Sequence, residues 1–410
     1  MTGPHRIGLV LSGGGARGAY EAGVLSYLFE KVLPTLPPGT EFDVISGTSV
    51  GAIHAAYTAA SAHLPAETRA TRLADTWSEM RLADVVRLSV TDLLGVPARA
   101  LGLSRRIRRA RSGEGTEVIG GLVDVAPLER IVAERIPWTG LSANLHAGQG
   151  RALCVSCTEV RSGRCTVFLD GPLANVSPWE FDPNAQAVKA AIGPAHVRAS
   201  AAIPFLFPAV RVGGRFYVDG GLRMNTPLSP ALRLACDRIL VIPLKHLRPN
   251  EAPERVYPEQ AITQPAFLLG KVLDAVMLDQ LEVELQRLGL VNAILEHGRS
   301  AFGTEFLPRI NEAVREQRGL GFRHVEATVV RPSQDVGRLA GDCYRGNVKT
   351  RGLGAIPALL SRAALRGVPH EEADLLSYLL FDRCFTAELV ALGRADADRQ
   401  SEALHALFTD

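Results

Sequence analysis

At about 150 residues per domain, a chain of 410 suggests two or three domains, or one large α/β domain with an added segment. A composition that is 47% hydrophobic, 6% aromatic and 21% charged is ordinary globular usage and excludes disorder as the main state. With 45 basic and 43 acidic residues the net charge is only +2, so no global field recruits nucleic acid, and none is expected as a partner.

Residues 7–12 form a short apolar run, too brief for the core of a signal peptide, that passes directly into glycines with no small-residue cleavage site. The expectation is an internal strand and a cytoplasmic protein. Residues 19–33 follow with Ala22, Leu25, Leu28, Phe29 and Val32 at helical spacing, ended by Pro34 and the Pro37-Pro38-Gly39 cluster. Residues 42–46 read as a second strand and residues 50–60 as a small-residue helix. This βαβα order implies a parallel sheet covered by helices. The longest uncharged stretch, residues 44–66, lacks the Leu, Ile and Phe density of a membrane-spanning helix.

Leu82, Val85, Val86, Leu93 and Leu94 suggest an amphipathic helix, followed by a dense basic run containing Arg105, Arg106, Arg108, Arg109 and Arg111. Core resumes at residues 121–135, where Pro127 suits a helix first turn. A hairpin is expected at residues 153–160 and 165–169, turning at Arg161-Ser162-Gly163-Arg164, and another at residues 210–212 and 215–218, turning at Gly213-Gly214. Residues 239–244 and 327–330 complete the strands; residues 266–295, and everything beyond Pro332, read as helical.

Six cysteines are too few for a disulfide scaffold. Cys154 and Cys157 have CxxC spacing but sit in a strand, where positions i and i+3 face opposite sides. No second ligand pair accompanies them, so no metal is expected.

Gly13-Gly14-Gly15-Ala16-Arg17-Gly18 matches GxGxxG between a strand and a helix. One use of that geometry is pyrophosphate binding in a dinucleotide fold, for which Asp43 is the nearest acidic candidate, although it opens the next strand instead of ending it. Another is an oxyanion hole, since consecutive glycines expose backbone N–H groups at a helix N-terminus. Gly47-Thr48-Ser49-Val50-Gly51 supplies a candidate nucleophile: GxSxG directly after a strand and before a helix presents the serine at the apex of a sharp turn. No histidine stands out as its base. His246, His297, His324, His370 and His405 lie in unmarked contexts, and His54 falls inside the following helix and should point into packing. Asp219 is the stronger candidate, because Asp219-Gly220-Gly221 ends a strand in a double-glycine turn; Asp170-Gly171, followed by Pro172, reads as a plain turn.

These three motifs, in this order and spacing, closely resemble the bacterial patatin-like phospholipases. Residues 199–208 resemble the helix-to-loop element that precedes that family's catalytic hairpin. The resemblance covers residues 5–335 and implies a patatin-like three-layer α/β/α domain with a mainly parallel central sheet, continued by a helical C-terminal extension over residues 336–410. It also implies a Ser–Asp dyad with Ser49 as nucleophile and Asp219 as proton acceptor. Gly14, Gly15 and Arg17 would supply oxyanion-hole N–H groups, with Gly13, Gly18, Gly47, Gly51, Gly220 and Gly221 as the motif glycines and neither cofactor nor metal required. The expected activity is acyl-ester hydrolysis of the phospholipase A or lysophospholipase kind. A transacylase on the same dyad and a non-catalytic nucleotide-binding module are the alternatives. The five arginines are candidates for contact with anionic headgroups at a peripheral, inner-membrane surface, worth about 1 kcal/mol each. The extension is expected to dock on the catalytic domain without chemistry of its own.

Overall fold

The computed structural model describes residues 5–87, 109–111, 117–121, 123–204, 206–247, 268, 280–347 and 374–409. Its strands are β1 (Ile7–Leu11), β2 (Val44–Thr48), β3 (Arg109–Arg111), β4 (Glu117–Ile119), β5 (Ala152–Glu159), β6 (Cys165–Asp170), β7 (Ala185–Lys189), β8 (Ala209–Val212), β9 (Arg215–Asp219), β10 (Arg238–Ile242) and β11 (Glu326–Val329). They form one sheet in the order β11-β10-β1-β2-β5-β9-β8-β4-β3, with β6 beside β5 and β7 beside β6. The five strands from β11 to β5 are parallel, as the βαβα pattern implies. Both expected hairpins, β5–β6 and β8–β9, are present and antiparallel.

Side chains alternate across the pleat. Leu9, Leu11, Ile45, Leu240 and Ile242 belong to one hydrophobic cluster, and Val10, Val44, Ile239 and Val241 to a second on the opposite face. Cys157 joins the first and Cys154 the second, so the CxxC pair is split across the sheet. The first face is covered by α1 (Gly18–Tyr27), α2 (Val50–Ala60), α3 (Ala66–Ser78) and the C-terminal helices Asp374–Leu379, Arg383–Arg399 and Ser401–Thr409. Leu228 and Ala231 of Leu228–Arg233, with Leu281 of Gln280–Phe302, cover the second, which makes three layers.

The C-terminal helices are built into the main core. Phe385, Leu389, Val390, Leu404 and Leu407 share the cluster that contains β1 and α1. Helix Arg383–Arg399 crosses α1 at backbone contact: a Cβ at Gly23 would strike the Val390 carbonyl, and one at Gly393 would strike the Tyr20 carbonyl. The Tyr20 hydroxyl donates to Asp396 at 3.0 Å and the Tyr27 hydroxyl to Asp398 at 2.9 Å.

One expectation changes. The amphipathic helix after Leu82 is a single short turn at Leu82–Val85; Leu93, Leu94, Arg105, Arg106 and Arg108 lie outside the described residues, and Arg109 and Arg111 belong to edge strand β3. The six cysteines include one disulfide, Cys343–Cys384, whose Cα atoms are 5.9 Å apart and which joins helix Val336–Asn347 to Arg383–Arg399. The other four thiols are buried and free. No helix among the described residues is long and apolar enough to cross a membrane.

Candidate active site

The register of the sheet brings Ser49 and Asp219 together. β2 pairs with β5 as far as Thr48 opposite Ser156, while β9 pairs with β5 from Asp219 opposite Cys157. Because β6 occupies β5 along residues 153–158, β2 and β9 must share the other edge and meet tip to tip. The residues at those tips are therefore neighbours despite their distance in sequence. They lie at the carboxyl ends of the parallel strands, where open α/β sheets place their ligands.

Ser49 has φ 55° and ψ −123°, a left-handed backbone that costs a non-glycine residue about 1–3 kcal/mol and persists only when its surroundings enforce it. Gly47 and Gly51 allow that enforcement: a Cβ at Gly47 would run into the Gly51 carbonyl, and one at Gly51 into the Leu11 carbonyl. Ser49 Oγ donates to Asp219 Oδ2 at 2.6 Å, and both side chains are buried. The other oxygen, Oδ1, accepts the Gly221 N–H at 2.7 Å, which uses the double-glycine turn to fix the carboxylate. Thr158 Oγ1 donates to the Asp219 carbonyl at 2.9 Å. Burial pushes the Asp219 carboxyl up to about 6, against the hydrogen bonds from Ser49 and Gly221 that favour its ionised form. It is thus an anion at neutral pH, close enough to the working range to accept a proton.

Two contributors were not singled out in the sequence. Ser200 Oγ accepts the Ser49 N–H at 2.9 Å and donates to the Ser156 carbonyl at 2.6 Å, bridging the serine turn to β5. It lies within the Ala199-Ser200-Ala201-Ala202-Ile203-Pro204 stretch that drew attention as a whole, not residue by residue. Asn225 exchanges two bonds with Gly13, accepting its N–H at 3.0 Å and donating Nδ2 to its carbonyl at 3.1 Å, and so holds the glycine loop.

Within that loop, Gly13 N–H is committed to Asn225 and Arg17 N–H to the Gly14 carbonyl at 3.1 Å. Gly14 caps and Gly15 opens the first turn, where helix geometry supplies no acceptor for their N–H groups. Arg17 therefore differs from expectation. Its N–H is engaged, and its buried side chain turns to the C-terminal helix: Nε donates to Ser377 Oγ at 2.8 Å, and the guanidinium stacks 4.0 Å from the Tyr378 ring centroid. The Tyr378 carbonyl lies directly over Gly15, whose φ of +57° and missing Cβ make room for it.

A narrow apolar chamber of about 70 Å³ opens beside Ser49. Val50, Ile53, His54 and Tyr57 line it from one face of α2, Trp77 and Met80 from α3 and its end, and Ile131 from helix Ala126–Arg135. Tyr378, Leu379 and Phe381 close it, so the C-terminal segment expected only to dock also walls the site.

Asp43 is not available to a ribose. Its Oδ2 accepts the Ile7 N–H at 2.7 Å at the start of β1, the end of the sheet opposite the glycine loop.

A model of the patatin-like phospholipase family matches residues 9–232, more than half of the chain. The chain belongs to the patatin-like phospholipase family. Among solved structures, VipD from Legionella pneumophila is similar at 14% identity and a TM-score of 0.31, the match covering 95% of this chain and 67% of that one. Human GIVD cytosolic phospholipase A2, solved with methyl gamma-linolenyl fluorophosphonate, is similar at 14% identity and a TM-score of 0.40, covering 99% of this chain and 59% of that one. No curated protein matches the sequence significantly. Patatin-like membership agrees with the α/β fold.

Proposed function

We propose that this patatin-like protein is a serine acyl hydrolase of (lyso)phospholipids or related lipid esters, working through a Ser49–Asp219 dyad. The observation that carries the reading is the 2.6 Å bond to a buried carboxylate from the Oγ of Ser49, which lines an apolar chamber. Ser49 attacks the ester carbonyl while Asp219 accepts its proton. The Gly14 and Gly15 N–H groups, at the positive end of the following helix, receive the developing oxyanion. Asp219 then protonates the departing alcohol, and the same carboxylate activates water to release the acyl group from Ser49. The chamber beside Ser49 accommodates the hydrocarbon chain, whose burial contributes about 0.8 kcal/mol per methylene.

Approach to a lipid surface is assigned to the basic run Arg105, Arg106, Arg108, Arg109 and Arg111, local charge in a chain of nearly zero net charge. Neutralising all five should weaken binding to anionic vesicles at low salt; unchanged binding would remove this assignment.

The activity is tested by incubating the protein with phosphatidylcholine and lysophosphatidylcholine vesicles and measuring released fatty acid. Wild type should release it and Ser49→Ala should not. Equal release by both would overturn the reading.

A further inference from the structure

His54 stands out among the groups that line the chamber. It is fully buried, yet its Nε2 has no hydrogen-bond partner among the described residues. The hydroxyl and charged side chains there are otherwise accounted for. Tyr57 donates to the Arg69 carbonyl at 2.8 Å and Thr76 to the Arg72 carbonyl at 2.7 Å, the Tyr378 hydroxyl accepts from Arg17, and Arg135 is exposed. The nearest aromatic neighbour of the imidazole is Trp77, edge-on with ring centroids 5.0 Å apart, a contact weaker than a hydrogen bond.

The other imidazole nitrogen is firmly held. Nδ1 lies 2.7 Å from Glu21 Oε2, and Glu21 Oε1 accepts the Ser12 N–H at 2.6 Å. Both residues are wholly buried, which favours their neutral forms: Glu21 is pushed well above the usual carboxylate range and His54 down to about 3. The carboxylic acid then donates to Nδ1. That leaves the ring proton on Nε2, on a residue that lines the mainly apolar chamber.

Position turns this donor into a ruler. Val50, Ile53, His54 and Tyr57 follow the i, i+3, i+4, i+7 pattern, so the chamber runs along one face of α2 starting from Ser49. From Ser49 to His54 the helix rises about 7–8 Å, the reach of roughly six chain carbons. We propose that His54 Nε2 hydrogen-bonds an oxygen substituent, hydroxyl or oxo, near the sixth carbon of the acyl chain, so that the preferred substrates are esters of oxygenated fatty acids. This inference rests on the acyl-hydrolase reading for its chemistry, but not for its geometry. A plain chain leaves a buried donor unpaired, whereas a suitably placed oxygen satisfies it.

The test compares kcat/KM for 4-nitrophenyl decanoate with that for isomers carrying one hydroxyl walked along the chain. Wild type should favour the best isomer about tenfold, with a maximum in mid-chain. In His54→Phe that ratio should fall to about one. Glu21→Gln, whose amide still donates to Nδ1, should keep it. Fluorophosphonate labelling of Ser49 checks that each variant is folded. A second arm measures binding of decanoic acid and of the favoured hydroxydecanoic acid to Ser49→Ala, where no turnover is needed. Esters cleaved with no positional preference, or a preference that survives in His54→Phe, would overturn the inference while leaving the hydrolase standing. Preferential binding of the hydroxy acid, lost in Ser49→Ala/His54→Phe, together with no ester cleavage by wild type, would support the chamber and overturn the hydrolase.

Discussion

The guanidinium of Arg17 lies 4.0 Å from the ring centroid of Tyr378 and ties the glycine loop to a C-terminal helix. Neither residue is exposed, and Arg17 also bonds Ser377 and pairs with Asp374 at 3.5 Å. Through this contact the C-terminal segment becomes part of the apolar chamber, because Tyr378, Leu379 and Phe381 line it.

Arg17→Leu should therefore loosen the wall more than the chemistry. We expect kcat/KM for long-chain esters to fall about tenfold or more, and for acetyl or butyryl esters by much less. Arg17→Lys should not rescue, since a point charge cannot both stack on Tyr378 and reach Ser377 and Asp374. Equal losses for short and long chains would contradict this role.

The helix crossing makes a separate demand. Gly393→Val places its side chain against the Tyr20 carbonyl in a wholly buried contact. A destabilisation of more than about 3 kcal/mol is expected, seen as a fall in Tm or as insoluble expression. A Tm within a degree or two of wild type would mean that the two helices do not pack at backbone distance.

What could be foreseen in the sequence follows from range. The GxSxG turn, the two hairpins and the small-residue helix are local patterns, and each lies within a residue or two of its expected place. The two turns mark Ser49 and Asp219 as candidate partners, but their pairing as a dyad is legible only through the resemblance, because it depends on β5 pairing with both β2 and β9 on one edge. Motif position marks Arg17 as an oxyanion donor, and nothing near it in sequence signals a partner in residues 374–378. Strand β7 has little β-favouring character in its Ala-Gln-Ala-Val-Lys sequence and is held by pairing with β6. His54 points into packing, as its place inside the helix implies, and that packing borders the chamber.

Ser200 is expected to be a positioning residue. Ser200→Ala leaves the buried Ser49 N–H without its acceptor, a loss of about 1–3 kcal/mol in stability. The strained serine turn should relax, lowering kcat with little change in KM. Wild-type kcat in this variant would show that the turn holds itself.

On the proposed dyad, Asp219 should set the pH dependence. With its carboxyl at about 6, kcat/KM should rise through that region as the base ionises. Stability should move the other way. The folded value lies above the ordinary 3.8, so the stabilising contribution of the neutral acid is complete below about pH 4 and is lost as pH rises through 6. Asp219→Asn should thus be inactive yet more stable than wild type at neutral pH, by up to about 3 kcal/mol, with the difference shrinking toward pH 4. Thermal melts across that range check the sign.

The dyad itself is tested most directly by the rate at which a fluorophosphonate labels Ser49, which requires an activated hydroxyl but no particular lipid. Wild type should label at Ser49, Asp219→Asn should label at least about a thousandfold more slowly, and variants of His246, His297, His324, His370 and His405 should label as wild type does. Labelling of Asp219→Asn at the wild-type rate, or its loss in one of the histidine variants, would contradict the account.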